Sequence, residues 1–219
     1  MPQLRLGLEV YYQYLYDLVV GANLPVARVG GADFRFEAFD LNNGGTGQSY
    51  GLEIALEKSF DKSYFILFNT SLFQATYTAN DGVVRPSRFS AGYIFNLVGG
   101  KEWQLGRRKA SFLNLNLSAT YSGPQYYTPL DGQATLERGF FVPDYNRPNA
   151  LQQSPLLIVD FSLVYKLNGK KSNSQFTLQV SNLLNQRPIT GQFYNYETQE
   201  VEPLFAVGLL PILSWRISF

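Results

Sequence analysis

The sequence contains no cysteine and no histidine among its 219 residues. Without these side chains the chain cannot form a thiolate or imidazole zinc site, a cysteine nucleophile or a Ser-His triad. The lack of cysteine also removes any disulfide framework, so cysteine usage does not indicate a compartment. The formal net charge is only +1. With no basic stripe along the chain, nucleic acid is not expected as a partner.

Long apolar runs are lacking as well, and the mean hydropathy is −0.12. The longest candidate, residues 205–213, is interrupted by Pro211 and is shorter than the roughly 18 apolar residues that a membrane-spanning helix needs. The first residues show neither the charged nor the apolar region of a signal peptide. If this is an outer-membrane protein, we expect that its signal was removed or that the chain is part of a longer protein.

Aromatic residues are abundant, with 17 Phe and 15 Tyr against 2 Trp. In residues 213–219 apolar side chains alternate with serine and arginine, and the final residue is an aromatic in phase with the apolar ones. Successive side chains of a strand point to opposite faces, so this strand has one apolar and one polar face. Because chain ends are usually frayed and polar, the pattern indicates a membrane barrel.

Seven earlier stretches alternate in the same way. The pattern predicts strands over residues 4–17, 50–56, 64–78, 91–103, 113–122, 159–167 and 175–181, and an eighth that follows residue 200 and ends at residue 219. The start of the 64–78 stretch is apolar on both faces, which leaves its facing ambiguous. Gly99-Gly100 is interpreted as a bulge or a close-packing point. In the 113–122 stretch, leucines alternate with small uncharged residues, as suits a wet inner wall.

The connections between these strands alternate between long and short. The long ones cover residues 21–48, the region of 80–86, 123–154 and 186–200, and the short ones cover 60–63, 105–109 and the hairpin-forming Asn168-Gly169. Outer-membrane barrels have short periplasmic turns and longer extracellular loops. The fold class predicted is therefore all-β, with about eight antiparallel strands of a transmembrane β-barrel and both chain ends on the periplasmic side.

Several segments resemble a known family. They are residues 8–18, residues 43–58 with Gly44-Gly45-Thr46-Gly47 and Tyr50-Gly51-Leu52-Glu53, then Gly100-Lys101-Glu102, Tyr127-Thr128-Pro129, residues 180–185 (Val-Ser-Asn-Leu-Leu-Asn) and the terminal aromatic. In these segments the chain resembles the TonB-dependent receptors, especially the Bacteroidetes-type members. The segments follow the order of the family over the whole chain.

The resemblance implies that residues 1–219 are the C-terminal section of a receptor barrel of twenty-two strands, without the plug domain. The implied function is to form barrel wall and extracellular loops for energised nutrient uptake in the outer membrane of a Gram-negative bacterium. The implied partners are membrane lipid, the plug and preceding strands, the TonB complex through that plug, and the barrel assembly machinery. The assembly signal of the family corresponds to Trp215, Ile217 and Phe219, although Ser214 stands where the family often has glycine.

Aromatic residues in the long loops are the candidates for ligand contact. They are Phe140, Phe141, Tyr145, Phe193, Tyr194 and Tyr196. Ligand sites favour aromatic linings, so these side chains could hold a ligand at the barrel mouth. They could equally pack the loops together or belong to an aromatic band at the membrane interface.

Charged residues on the strands are better explained as part of the wall. Glu53 and Glu57 share one face but, at roughly 3.3 Å per residue, would lie about 13 Å apart, beyond the roughly 5 to 9.5 Å of glycosidase carboxylates. Alternation places them on the lumen side. The same assignment applies to Arg5, Glu9, Glu102, Asp160, Lys166 and Arg216.

Two loop motifs resemble binding sites only superficially. Residues 44–48 (Gly-Gly-Thr-Gly-Gln) precede a strand rather than a helix and lack the Gly-Lys-Ser/Thr ending of a phosphate loop. Asp40, Asn42 and Asn43 could supply oxygen ligands to calcium, but the EF-hand spacing and its closing glutamate are missing. We therefore expect no metal, no cofactor and no enzymatic activity.

Two other functions remain open at this point. A complete eight-stranded outer-membrane barrel with a structural or adhesion role would satisfy the even strand count, although its narrow interior must be filled by side chains. A secreted soluble β-sandwich that binds carbohydrate would pack its apolar faces against each other.

Overall fold

The computed structural model describes residues 4–28, 30, 40–61, 63–106 and 110–219. Eight long strands dominate it: β1 (Leu4–Gly21), β2 (Leu41–Asp61), β3 (Tyr64–Thr78), β5 (Tyr93–Leu105), β6 (Ser111–Ser122), β9 (Leu156–Asn168), β10 (Asn173–Ser181) and β13 (Leu210–Ser218). The loops between them contain β4 (Val84–Pro86), β7 (Tyr126–Tyr127), helix α1 (Gly132–Arg138), β8 (Leu151–Gln152), β11 (Ile189–Asn195) and β12 (Glu200–Phe205). In this part of the chain, no helix has the length and hydropathy of a membrane span.

The eight long strands form one sheet in the order β1-β2-β3-β5-β6-β9-β10-β13. Each is antiparallel to the next long strand along the chain. This meander confirms the predicted all-β antiparallel fold of outer-membrane barrel type. Within the described residues β1 and β13 each pair on one side only, so the sheet has two edges.

Two predicted strand starts lie far from the observed ones. The second strand begins at Leu41 rather than Tyr50, because the glycine-rich segment assigned to a loop pairs with both β1 and β3. The eighth begins at Leu210 rather than just after residue 200. The residues in between form β12, which pairs with β11 in a separate hairpin over the long-loop end.

The β1 strand also extends beyond its predicted end, to Gly21. Its pairing with β2 is irregular between Leu15 and Val20, and Asp17 there has a φ of 53°. A bulge of this kind bends a strand while allowing it to stay in the sheet.

Of the short connections, the one after β9 is described in full. Gly169 N donates a hydrogen bond to Ser172 O at 2.9 Å, which closes the predicted hairpin. Neither Asn168 nor Gly169 has a positive φ, so the hairpin forms without the left-handed conformations for which Asn-Gly pairs are favoured. The predicted turns at 60–63 and 105–109 include Lys62 and residues 107–109, which lie outside the described part of the chain.

The strand register assigns every long strand an apolar and a polar face. Leu6, Leu56 and Phe68 follow one another across β1, β2 and β3, and Leu97 and Ala119 continue this apolar face on β5 and β6. The ambiguous start of β3 is thereby resolved. Ile66 and Phe68 lie on the apolar face, and Phe65 and Leu67 lie on the polar face.

The apolar face is uncovered. Leu6 is 71% exposed, Val10 75% and Leu213 81%. A soluble β-sandwich would bury such a face against a second sheet, but no second sheet covers it among the described residues. The sandwich interpretation is therefore wrong for the part of the chain that the structure describes.

Gly100 is a close-packing point and not a bulge. Register is unbroken through Gly99 and Gly100 on both sides of β5. The ring of Phe65 and the amide of Asn116 occupy the space where a Cβ of Gly100 would lie. A glycine here allows the Phe65 ring to lie flat against the polar face.

Candidate ligand site at the long-loop end

The long loops pack on one another at one end of the sheet. Their buried cluster consists of Val20, Ala27, Tyr77 and Ala79, all at most 4% exposed. The Tyr77 hydroxyl donates to Pro25 O at 3.1 Å. A buried tyrosine needs such an acceptor, so this bond ties the β1–β2 loop to the end of β3.

Asn149 joins three loops. Its Nδ2 donates to Gly30 O at 2.7 Å and to Pro86 O at 2.9 Å, while its backbone N donates to Thr128 Oγ1 at 3.1 Å. The residue is 5% exposed and has a φ of 55°, a conformation that asparagine tolerates better than most residues. One buried amide thus links the β1–β2, β3–β5 and β6–β9 loops.

An ion pair stiffens the β3–β5 loop. Arg85 Nη2 lies 2.6 Å from Asp81 Oδ2, and Asp81 Oδ1 accepts from Val83 N at 3.1 Å. The Arg85 guanidinium holds the pKa of Asp81 below its usual range, and the pKa of Arg85 is raised in turn. The ion pair therefore contributes to the stability of the folded loop. Because the pKa of Asp81 is depressed, this contribution is present above the ordinary pKa of aspartate and is lost as the pH falls through the depressed pKa.

The β6–β9 loop contains the helix α1, which alternation did not predict. Asp131 caps it by accepting from Ala134 N at 3.0 Å, and Gly139 ends it in the left-handed conformation with a φ of 68°. Thr135 is 1% exposed, and its Oγ1 accepts from Val142 N at 2.9 Å. The segment after the helix is therefore fixed against it.

Two cavities open between these loops. The larger one, of about 530 Å³, lies between the β6–β9 loop and the β11–β12 hairpin. The smaller, of about 240 Å³, lies between the β6–β9 loop and the β1–β2 loop. Arg88 and Tyr127 line both cavities. Gln153 Nε2 donates to Ile189 O at 3.3 Å, which connects the hairpin to the loop across the larger cavity.

The larger cavity is rich in hydrogen-bond donors. Its charged and amide-bearing residues are Arg88, Arg187, Gln152, Gln153, Gln186 and Gln192. None of the described residues that line it is acidic. Guanidinium groups are planar, permanently charged donors that match carboxylate and phosphate oxygens. The geometry is thus suited to an anionic ligand with several oxygen acceptors.

The six aromatic candidates separate into three pairs. Phe141 and Tyr145 line the smaller cavity. Tyr194 and Tyr196 make an edge-to-face contact with ring centroids 5.4 Å apart, and the Tyr196 ring lies beside Gly139 at the end of α1. The remaining two, Phe140 and Phe193, are 47% and 44% exposed on the loop surface. The structure thus brings only two of the six to a cavity.

The carboxylates of the wall lie on the polar face, as alternation predicts. Glu53 is directly opposite Glu9 in the register, and Glu57 is opposite Arg5. The Glu53 carboxylate accepts a 3.4 Å hydrogen bond from Ser71. No group of three or more potential metal-binding acids occurs within the described residues.

The glycine-rich motif near residue 44 is part of the β2 strand. Asn42 Oδ1 accepts from Gly44 N at 3.0 Å, so that side chain bonds within the strand.

Arg88, Arg187 and Asn149 are the loop residues that sequence reasoning missed. Each lies next to a proline or serine in a long loop. A lone basic residue in a loop has no periodic pattern to identify it. Only the packing of loops far apart in sequence brings the two arginines to one cavity.

No protein-family model matches this chain, and no curated protein matches it. Solved structures share its fold, and two of them are uptake receptors. The ferric yersiniabactin uptake receptor FyuA from Yersinia pestis superposes on 99% of this chain with a TM-score of 0.66 and 16% identity. The ferric-catecholate import receptor Fiu from K12 E. coli covers 97% with a TM-score of 0.59 and 14% identity. This chain spans 28% and 25% of those receptors.

Proposed function

We propose that this chain is the C-terminal section of the β-barrel of a TonB-dependent outer-membrane receptor, with the wall of its last eight strands and four of its extracellular loops. The observation that carries the proposal is the eight-stranded meander with an uncovered apolar face, together with its superposition on two ferric uptake receptors. The proposed location is the outer membrane of a Gram-negative bacterium, and the proposed role is transport rather than catalysis.

The rest of the receptor supplies what this section does not. The preceding barrel strands pair with the two open edges of the sheet, and a plug domain contacts its polar face. The TonB complex acts through this plug. The barrel assembly machinery recognises the last strand, with Trp215, Ile217 and Phe219 on its apolar side. Residues 1–219 thus provide wall, loops and closing strand, in a receptor of Bacteroidetes type.

The larger cavity is the proposed contact point for the cargo. Arg88 and Arg187 favour a cargo that presents anionic oxygens, because ion-assisted hydrogen bonds are the strongest that a polar loop can offer. The aromatic candidates Phe140, Phe141, Tyr145, Phe193, Tyr194 and Tyr196 contribute stacking surface around this mouth.

The test is uptake by cells that carry the whole receptor containing this chain. Labelled ferric catecholate, hydroxamate and carboxylate chelates, a cobalamin and acidic oligosaccharides serve as probes, each with and without an intact TonB system. At least one probe is expected to enter only when both receptor and TonB are present. Uptake of no probe, or uptake independent of TonB, contradicts the proposed function.

Replacement of both cavity arginines, R88A with R187A, tests the cargo site. Loss of two charge-assisted contacts, each contributing about 1.5 kcal/mol, is expected to weaken binding of the transported probe at least about tenfold. R147A is the matched control, because Arg147 is an exposed arginine of the β6–β9 loop, which borders both cavities, and itself lines neither cavity. Unchanged affinity in the double variant places the cargo elsewhere.

F140A with Y194A, measured in the same assay, tests the aromatic contribution.

A further inference from the structure

Two lysines interrupt the apolar face near the short-turn end of the sheet. Lys58 lies on β2 opposite Leu4 of β1 and Ile66 of β3. Lys101 lies on β5 opposite Tyr64 of β3. Both lysines therefore lie on the apolar face, separated by two strand spacings of about 5 Å each and offset by two residues along the strands, with Tyr64 on the strand between them.

The Lys58 ammonium is poorly satisfied. Its Nζ is covered and has no hydrogen-bond partner among the side chains that the structure describes, and it contacts the face of the Tyr64 ring, 3.8 Å from the centroid. An ammonium group has three donors, and a ring face offers it a weak partner compared with an anionic oxygen. Because its four-carbon stem is flexible, the covered ammonium can turn from the ring face to an anionic oxygen of a molecule outside the chain.

Lys101 also lies beside an aromatic ring, but unlike Lys58 it is exposed. Its Nζ lies 5.3 Å from the centroid of the Trp103 ring, and Trp103 is 38% exposed on the same face. Glu57 and Glu102, next to the two lysines in sequence, lie on the opposite, polar face.

A groove on the apolar face begins at Lys101 and Tyr64. It has a volume of about 500 Å³, and its apolar lining includes Ile66, Leu97, Leu117 and Ala119. Gly99 creates the depression, because it lies in register between Ile66 and Leu117 and has no side chain to fill the space. The groove lies on central strands that are paired on both sides, so additional barrel strands leave it open to the bilayer.

We propose that this groove binds an anionic phospholipid, with its phosphate headgroup held by Lys58 and Lys101 and an acyl chain along the depression at Gly99. The short turns of outer-membrane barrels face the periplasm, so the lipid belongs to the periplasmic leaflet. Tyr64 and Trp103 are aromatic residues of the type found at headgroup level, and basic side chains attract anionic headgroups. This inference rests on the proposed membrane location.

The experiment uses the whole receptor that contains this chain, reconstituted in nanodiscs of phosphatidylcholine with increasing phosphatidylglycerol. Native mass spectrometry counts retained lipids and measures their relative affinity. The receptor is expected to retain phosphatidylglycerol at least about fivefold more strongly than phosphatidylcholine. K58Q with K101Q is expected to abolish this preference, whereas the matched control K170Q, in the β9–β10 turn, keeps it.

A second variant tests the groove itself. G99L fills the depression, and a Cβ at Gly99 meets only ordinary contacts at 3.6 Å and beyond, so the sheet is expected to fold. Its lipid retention should fall without a change of charge. If G99L retains lipid normally and inorganic phosphate competes equally well, the site binds free phosphate and the lipid proposal is overturned.

The two proposals fail in distinguishable ways. A receptor that inserts into nanodiscs and transports its probe, but retains both lipids equally, contradicts the lipid site alone. A protein that cannot be reconstituted in a bilayer contradicts the membrane function on which the lipid site rests.

Discussion

At the scale of single residues, Thr70 departs from the chemistry of its surroundings. It lies on the apolar face between Ile54 and Phe95 in the register, it is 8% exposed, and its Oγ1 has no hydrogen-bond partner among the described residues. A buried hydroxyl without a partner costs about 1–3 kcal/mol. T70V is therefore expected to raise the free energy of unfolding of the receptor by about 1 kcal/mol, measured by denaturant titration in lipid vesicles.

The matched control for T70V is T120V. Thr120 lies on the polar face and donates a 2.8 Å hydrogen bond to Asn96 Oδ1. This variant is expected to lower the free energy of unfolding by about 1 kcal/mol, because it leaves an acceptor unpaired. If T70V destabilises the protein as much as T120V does, the Thr70 hydroxyl has a partner in the membrane.

At the scale of elements, the long loops behave as one unit because Asn149 holds them. N149D keeps a residue that tolerates the positive φ but removes the two donated bonds to Gly30 O and Pro86 O. Local opening of the loops is expected to become easier by about 1–3 kcal/mol. Limited proteolysis of the receptor in proteoliposomes should then cut these loops at least about tenfold faster.

N146D is the control for the loop experiment. Asn146 is exposed in the same loop, and its backbone, not its side chain, donates to Asp144. Its cleavage rate should equal that of the unmodified protein. Equal rates for N149D and N146D would mean that the loops are held by their apolar cluster and not by the buried amide.

At the scale of the whole molecule, the open edges of the sheet decide whether residues 1–219 form a barrel by themselves. Among the residues that the structure describes, β1 and β13 each leave one row of backbone groups without a strand partner, and in lipid every such group costs several kcal/mol. Residues 1–219 produced alone are therefore expected to aggregate in detergent. They should not show the heat-modifiable migration of a closed barrel on gels.

The outcome that contradicts this expectation has a clear meaning. A compact, heat-modifiable monomer of residues 1–219 in detergent would indicate that β1 and β13 pair with each other. The chain would then be a complete eight-stranded barrel, the alternative that strand counting left open. The same preparation mixed with the preceding barrel strands serves as the positive control.

The sequence by itself determined the strands, their two faces and the alternation of long and short connections, because a period of two along each strand is a local property. It misplaced the start of β2, since the glycines of residues 44–47 suggest a loop and only pairing with two neighbours keeps them extended. It identified the aromatic loops but not the cavity of Arg88 and Arg187. Contacts between loops far apart along the chain are decided by tertiary packing alone, as is the groove that Gly99 opens beside Lys101.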